Sequence, residues 1–247
     1  HAIISRVLEA HGYSVGIISQ PDWRDDKSIT VLGEPRLGFL VMSGNMDSMV
    51  NHYTVSKKRR STDAYTPGGA MGKRPDYAAI VYCNLIRRTY RKTPVIVGGI
   101  EASLRRLAHY DYWDNSIHPS ILVDSGADWL CYGMGERTML ELTRAIESGR
   151  NLRQNIAQLA FYRKGTCKLD GALVLHSYER CLEEPRSFAE NFHQIEIHAN
   201  MLTPQTLVEP VGDGYVRVNP PLPPATTEEM DSFWDLPFTK KPHPRYK

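Results

Sequence analysis

The stretch PVIVGGIE at residues 94–101 decides the fold class of this 247-residue chain. Its apolar, mostly β-branched start predicts a short buried strand over residues 94–97. The pair Gly98-Gly99 then predicts a tight turn into a helix over residues 101–108. Short, uninterrupted apolar strands that lead directly into helices are typical of a parallel sheet with both faces covered.

The same strand-to-helix pattern recurs on both sides of this stretch. Further strands are predicted over residues 13–19, 37–42 and 129–132, and helices over residues 1–11, 45–53, 75–91 and 135–148. A helix that starts at the first residue leads us to expect further elements of the protein on both sides of this chain. With one more strand ahead of it, the pattern predicts a doubly wound α/β fold with five parallel strands in flavodoxin-like order.

The pattern loosens after residue 150, which we take as a domain boundary. Residues 152–162 fit either a helix or a strand, residues 190–201 a helix, and residues 207–218 a hairpin around Gly212-Asp213-Gly214. The last 46 residues contain nine of the 16 prolines. Residues 151–247 are therefore predicted to be an irregular, Pro-rich extension, with a stiff connector at 220–224 and a short helix at 228–234.

Composition excludes several protein classes. Hydrophobic residues make up 41% and charged residues 23%, an ordinary globular balance, and the net charge of +2 is too small to indicate bulk nucleic-acid binding. No apolar run approaches the roughly 20 residues of a membrane span, and the first residues lack the layout of a signal peptide. We therefore expect a cytoplasmic protein.

The four cysteines do not form a metal-binding motif by their spacing. Cys83, Cys131, Cys167 and Cys181 make neither a CxxC pair nor a CxxxCxxC triplet. We interpret them as reduced structural thiols, which is typical of cytosolic proteins. His193 and His198 are five residues apart, a spacing that does not suit metal ligation from one helix face. The sequence predicts no metal ligands and no catalytic residues in this chain.

Three loops that follow predicted parallel strands are the candidate ligand site. Ligands of open parallel sheets bind beyond the carboxyl ends of the strands, where backbone N–H groups converge. Ser43 and Gly44 follow one strand, Gly98 and Gly99 the next, and Gly135 lies in the loop after a third. None of these loops is a GxGxxG fingerprint or a Walker loop. The alternative is that the glycines only make tight turns. Glu101 and Glu136 suit an acid or base role, but carboxylates at helix starts more often serve the helix dipole.

Longer sequence words make a family resemblance visible. The three loops resemble those of the cobalamin-binding-type domain that precedes many radical SAM domains. Words that resemble the YgiQ family run along almost the whole chain: GEPRL (33–37), GNMDSMVNHYT (44–54), AYTPGG (64–69), GIEASLRR (99–106), HYDYW (109–113), YGMGER (132–137), LPF (236–238) and HPRY (243–246).

The resemblance implies a cobalamin-binding-like α/β domain at residues 1–150 and a connector at 151–247 towards a radical SAM domain outside this chain. In the full-length protein that domain would hold a [4Fe–4S] cluster through a CxxxCxxC motif and bind S-adenosylmethionine (AdoMet). The partner of that radical SAM domain would be the present chain, and the substrate of the enzyme is unknown. The resemblance also implies one of two states of this domain: a corrinoid bound against Ser43, Gly44, Gly98, Gly99 and Gly135, or a scaffold that has lost the corrinoid. The histidine that ligates the corrin would precede residue 1, so this sequence leaves both alternatives open.

Two weaker features keep a non-enzymatic hypothesis open. The basic run at residues 57–60 is suited to a phosphate, the AdoMet carboxylate or an RNA backbone, or it is a solvated loop. The aromatic and acidic stretch at 109–114 fits a substrate surface or a packed cluster. The leading hypothesis is thus the N-terminal domain of a radical SAM enzyme, and the alternatives are a corrinoid-type ligand-binding module or an RNA- or protein-binding scaffold.

Overall fold

A mixed sheet forms the centre of the computed structural model, which describes residues 1–149, 155–167 and 170–244. The strands are β1 (Phe39–Val41), β2 (Val95–Gly98), β3 (His109–Asp111), β4 (Ser116–His118), β5 (Trp129–Cys131), β6 (Leu159–Lys164), β7 (Leu173–Val174), β8 (Leu207–Val211) and β9 (Gly214–Val218). Seven of them are ordered β1-β2-β5-β6-β9-β8-β7, and β3 pairs with β4 in a separate antiparallel hairpin.

Helices cover the sheet and follow its strands. They are α1 (Ala2–Ala10), α2 (Lys27–Thr30), α3 (Ser48–His52), α4 (Ala78–Thr89), α5 (Gly99–Leu104), α6 (Ile121–Ser125), α7 (Glu136–Glu147), α8 (Tyr178–Glu183), α9 (Pro185–Ala199) and α10 (Thr227–Trp234), with a 3-10 turn at Pro67–Gly69. Among the described residues, none of these helices has both the length and the apolar character needed to cross a membrane.

The parallel part of the sheet is buried on both faces. Strands β1, β2 and β5 are adjacent and parallel. Because successive side chains of a strand point to opposite faces, Val95 and Val97 pack into one core cluster while Ile96 packs into the other. Helix α4 contributes to the first cluster and α7 to the second, so that helices lie on both sides. The doubly wound α/β fold predicted from the sequence is confirmed.

One predicted strand is absent. Residues 13–19 form no strand. A strand is defined by the hydrogen-bond ladder to a neighbour, and in the described residues this segment does not pair with β1, the edge strand of the sheet, or with any other strand. The prediction of a strand at 13–19 was therefore wrong for this chain. Of the five parallel strands expected, the described residues supply three in succession.

The sheet continues across residue 150 with a change of direction. Strand β6 pairs antiparallel with β5, and the hairpin of β8 and β9 extends the sheet further. Within the ambiguous segment 152–162, residues 152–154 lie outside the described residues and the strand begins at Leu159. The predicted hairpin is confirmed, and the division into domains at residue 150 stays a prediction.

The proline-rich connector packs against the sheet instead of projecting from it. The carbonyl of Pro220 accepts a hydrogen bond of 2.8 Å from the backbone N–H of Gln158, and Arg137 donates to the carbonyl of Pro223. The short helix predicted beyond it is α10, whose N-terminus has a capping box between Thr226 and Glu229. The extension is thus fixed to both β6 and α7.

A buried carboxyl group joins the extension to the first half of the chain. Glu209 of β8 accepts the backbone N–H of Ala108 with its two oxygens at 3.2 and 2.9 Å. Burial raises the pKa of Glu209 to about 7, and the hydrogen bond from Ala108 compensates only in part. The neutral carboxyl is therefore favoured in the folded protein below about pH 7.

We predict that Glu209→Gln stabilises the chain at alkaline pH. Because the pKa of Glu209 is higher in the folded state, wild-type stability is fully present below about pH 4.5 and declines as the pH rises to about 7. That rise in pKa corresponds to a loss of about 3 kcal/mol in the free energy of unfolding of the wild type at pH 8. The variant would not show this loss, because its amide stays uncharged. Urea unfolding at pH 5 and pH 8 measures the difference, and an equal pH dependence in both proteins would contradict it.

Candidate functional site

The three predicted loops lie at one edge of the sheet. Ser43 and Gly44 follow β1, Gly98 and Gly99 stand at the end of β2, and Gly135 lies in the loop between β5 and α7. Because β1, β2 and β5 are adjacent and parallel, their carboxyl ends meet at the same edge, here called the carboxyl edge. The structure brings all five predicted residues to this edge, and their role in ligand binding stays a prediction.

The glycines after β1 and β2 are required by the backbone and by neighbouring side chains. Gly44 has a φ of +119° and Gly99 a φ of +82°, in the left-handed region that favours glycine. A Cβ atom on Gly44 would lie 3.1 Å from a guanidinium nitrogen of Arg74, and one on Gly99 would lie 3.3 Å from Cβ of Met42. Atoms of the chain itself thus occupy the space beside both glycines.

Atoms of Cys131, at the end of β5, occupy the space beside the other two predicted glycines. A Cβ atom on Gly98 would lie 3.2 Å from the Cys131 carbonyl oxygen, and one on Gly135 would lie 3.0 Å from its Sγ. Ile4 of α1 lies 3.7 Å from the same position on Gly135. The glycines allow close packing within the chain, which favours the tight-turn interpretation, and corrinoid binding against them stays a prediction.

Glu101 organises the carboxyl edge. Its side chain is only 1% exposed. One oxygen accepts the backbone N–H of Ser48 at 2.7 Å and the other accepts that of Ala79 at 2.9 Å. These N–H groups belong to the first turns of α3 and α4, which have no partner within their own helices. Glu101, itself in the first turn of α5, therefore joins three helix N-termini.

A buried ion pair reinforces this junction. Asp47 caps α3 by accepting the backbone N–H groups of Met49 and Val50 at 2.9 and 3.2 Å. Its second oxygen accepts from the guanidinium of Arg105, the residue that follows α5. Burial lowers the pKa of Arg105, but the hydrogen bond and charge of Asp47 outweigh it and hold that pKa above its usual value. The ends of α3 and α5 are thereby tied together.

A second buried ion pair fixes the loop after β1. Arg74 donates to the two carboxyl oxygens of Asp63 at 2.9 Å each, and also to the backbone carbonyl of Ser43 at 3.2 Å. Burial acts to raise the pKa of Asp63, yet the hydrogen bonds from Arg74 and the backbone of Tyr65 lower it to about 2. Such a bidentate, charge-assisted pair holds the loop in one geometry.

His52 is the buried histidine closest to these ion pairs. Its Nδ1 lies 2.7 Å from a carboxyl oxygen of Asp76, whose other oxygen accepts the hydroxyl of Tyr53 at 2.7 Å. Its Nε2 lies 4.0 Å from Asp63 and makes no hydrogen bond with the part of the chain that the structure describes. Because the ring is completely buried, His52 orients α3 and is not presented to a ligand at the surface.

The side chains described here do not fit an iron–sulfur cluster. Among residues 1–149, 155–167 and 170–244, no three His, Cys, Asp or Glu side chains are grouped as metal ligands. Burial raises the pKa of Cys83 and Cys131 to about 12 and that of Cys181 to about 11. Thiolates are the form that binds iron, and these buried thiols are held in the protonated form.

Sequence reasoning located the loops but missed the groups that hold them. From the sequence, Glu101 is interpreted as an acid–base group or as a helix-start carboxylate, and no individual role is predicted for Asp47, Asp63, Arg74 or Arg105. Their partners lie 11 to 58 residues away, as for Arg74 with Asp63 and Arg105 with Asp47. The available signal was the pair of sequence words at 44–54 and 99–106, which contain Asp47, Glu101 and Arg105.

We predict that Glu101→Gln lowers the free energy of unfolding by about 2–4 kcal/mol. The amide would retain one acceptor but turn an N–H donor towards a backbone N–H, so that one buried helix N-terminus loses its partner. Glu101→Ala should cost more, because two backbone N–H groups lose their acceptor. Urea unfolding measures both variants.

The matched control is Glu141→Gln, the same chemical change at an exposed position of α7. It should change stability by less than about 0.5 kcal/mol. Equal stability of the Glu101 and Glu141 variants would show that the junction is not important for folding.

Comparison with known proteins agrees with the resemblance. Residues 1–247 match the family described as Radical SAM N-terminal. A UPF0313 protein of Clostridium botulinum is 46% identical over 248 residues, which are 100% of this chain and 38% of that protein. UPF0313 proteins of Porphyromonas gingivalis (47% identical, 40% of its length) and Bacteroides thetaiotaomicron (46% identical, 42% of its length) also match over the whole chain.

No solved structure matches this chain. The chain spans about two fifths of the length of the curated relatives it matches. The UPF0313 proteins are the group that includes YgiQ, so the family predicted from the sequence is confirmed. On the match along its full length, the chain belongs to the radical SAM N-terminal family.

Proposed function

We propose that this chain is the N-terminal part of a radical SAM enzyme and that its carboxyl edge covers the active site of the downstream catalytic domain. The observation that carries the proposal is the family match over all 247 residues. In radical SAM proteins a [4Fe–4S] cluster and AdoMet, when bound, supply a carbon-centred radical. The cysteines that hold the cluster would lie outside this chain.

Exposed apolar side chains at the carboxyl edge support this arrangement. Ile100 and Leu104 of α5 are 47% and 61% exposed, and Met134 in the loop before α7 is 55% exposed. The hydroxyl of Ser103 lies 3.3 Å from the backbone nitrogen of Gly133, so that α5 and this loop are adjacent. Single exposed apolar residues are common, but a group of them at a ligand-binding edge is typical of an interface.

The chain's own contribution would be positional. The loops of the carboxyl edge would form a rigid wall of the active site, because ion pairs and helix caps hold them in place. These are the loops with Ser43, Gly44, Gly98, Gly99 and Gly135. Such a wall keeps water away from a reactive intermediate and limits the space for a substrate. We do not include a corrinoid, because the glycines contact atoms of this chain. A cytoplasmic location belongs to the proposal and accords with the free cysteines.

The first test uses the full-length protein purified without oxygen. We expect about four irons and four sulfides per chain, in keeping with one [4Fe–4S] cluster. Reduction in the presence of AdoMet should yield 5′-deoxyadenosine, measured by liquid chromatography. A folded protein that binds neither iron nor AdoMet after reconstitution would contradict the enzymatic proposal.

The second test addresses the interface. The variant Ile100→Asp/Leu104→Asp should lower AdoMet cleavage by at least about tenfold, a loss of about 1.4 kcal/mol in transition-state stabilisation. The iron content should stay unchanged. The control Leu202→Asp alters a side chain that is 99% exposed and should leave cleavage at the wild-type rate. Equal rates in all three proteins would place the interface elsewhere.

A further inference from the structure

The basic loop at residues 57–60 packs against the hairpin of β3 and β4 beside the carboxyl edge. The loop at residues 57–60 follows α3 and is exposed throughout. The ammonium group of Lys57 lies 4.8 Å above the ring of Tyr112 and donates to the carbonyl of Trp113 at 3.1 Å. In return the hydroxyl of Tyr112 donates to the carbonyl of Val55 at 2.6 Å. Loop and hairpin therefore form one surface.

The hairpin presents its aromatic rings outwards. Tyr110 and Tyr112 are 49% and 46% exposed, whereas Asp111 between them is buried. Tyr110 lies in β3, and Tyr112 is the first residue of the turn between β3 and β4. Their hydroxyls are tied down, that of Tyr110 to Asn115 at 2.6 Å. Trp113 packs edge-on against Tyr112 at 5.3 Å, so that the rings stand in fixed positions.

The charge of this surface is unbalanced. Among the ion pairs of the described residues, none involves Lys58, Arg59 or Arg60. Three acidic side chains of the neighbouring segments already have other partners: Asp63 pairs with Arg74, Asp76 with His52, and Asp114 with His118 at 2.6 Å. Three exposed cations without acidic partners create a local attraction for anions.

We propose that the basic–aromatic surface, formed by residues 57–60 with Tyr110, Tyr112 and Trp113, binds single-stranded nucleic acid. Phosphates would contact the basic loop and unpaired bases would stack on the exposed tyrosine rings, the two features that single-strand-binding surfaces combine. The small net charge of the whole chain agrees with a local site. This binding does not depend on the radical SAM proposal.

The surface adjoins the carboxyl edge. The loop leaves from α3, whose N-terminus is capped by Asp47, and the hairpin follows Arg105, which pairs with Asp47. A single-stranded nucleic acid bound to this surface would therefore lie next to the loops with Gly44 and Gly99. If the proposed enzyme acts at that edge, nucleic acid is the substrate class that the surface would deliver.

The test measures the affinity of the full-length protein for a fluorescein-labelled 12-nucleotide oligouridylate by fluorescence anisotropy between about 25 and 200 mM salt. The variant Lys58→Ala/Arg60→Ala removes two exposed charges. The slope of log affinity against log salt should become less steep by about 1.4, since each phosphate contact on a single strand contributes about 0.7. The matched control is Arg91→Ala/Lys92→Ala, two exposed charges beside the amino end of β2, which should leave the slope unchanged.

A second variant separates stacking from charge. Tyr110→Ala should weaken binding by about five- to 150-fold with an unchanged salt slope, which corresponds to the 1–3 kcal/mol of one stacked base. Tyr110→Phe keeps the ring and should bind like wild type. Thermal unfolding of each variant shows whether the fold is intact.

Four outcomes would overturn the proposal: no binding of the oligouridylate at 25 mM salt, equal slopes for the two charge pairs, equal affinity for a duplex of the same length, or unchanged binding in Tyr110→Ala. Binding to phosphatidylserine vesicles that the oligouridylate does not displace would also overturn it, since the surface would then be a membrane contact.

Discussion

The carboxyl group of Glu101 is the interaction on which this structure depends most. Glu101 lies in the first turn of α5, directly after β2, the central strand of the parallel group, and its carboxyl accepts backbone N–H groups from the first turns of α3 and α4. Three helices therefore start from one buried carboxyl. Without it, two helix N-termini would be buried with unsatisfied donors, which costs far more than an exposed end.

The ion pairs around this junction give the carboxyl edge its rigidity. Two buried pairs hold the loops, Asp47 with Arg105 and Asp63 with Arg74. The glycines of the loops allow neighbouring atoms of the chain to pack closely against them. Replacing such pairs by apolar groups often costs little stability, so their value here is conformational. In the proposed arrangement they keep the loops in one geometry for a neighbouring domain.

The sequence predicted local features well and long-range contacts poorly. The apolar run at residues 94–97 and the glycines after it defined β2 and its turn, because both are local properties. The run at 13–19 looked equally strand-like but has no neighbouring strand, which only the sheet order reveals. The site loops were found from their position after strands. The partners of Glu101 were not, because Ala79 and Ser48 precede it by 22 and 53 residues.

We propose that the carboxyl edge is covered in the full-length protein. The most direct measurement is the rate at which a thiol reagent labels Leu104→Cys there, followed by peptide mass spectrometry, with Leu202→Cys as the exposed reference. Leu104 is 61% exposed in this chain and Leu202 is 99% exposed. If the edge is covered, position 104 is labelled at least about tenfold more slowly than position 202, which corresponds to about 1.4 kcal/mol of protection. Labelling of both positions at similar rates would show that the edge is open and contradict the account.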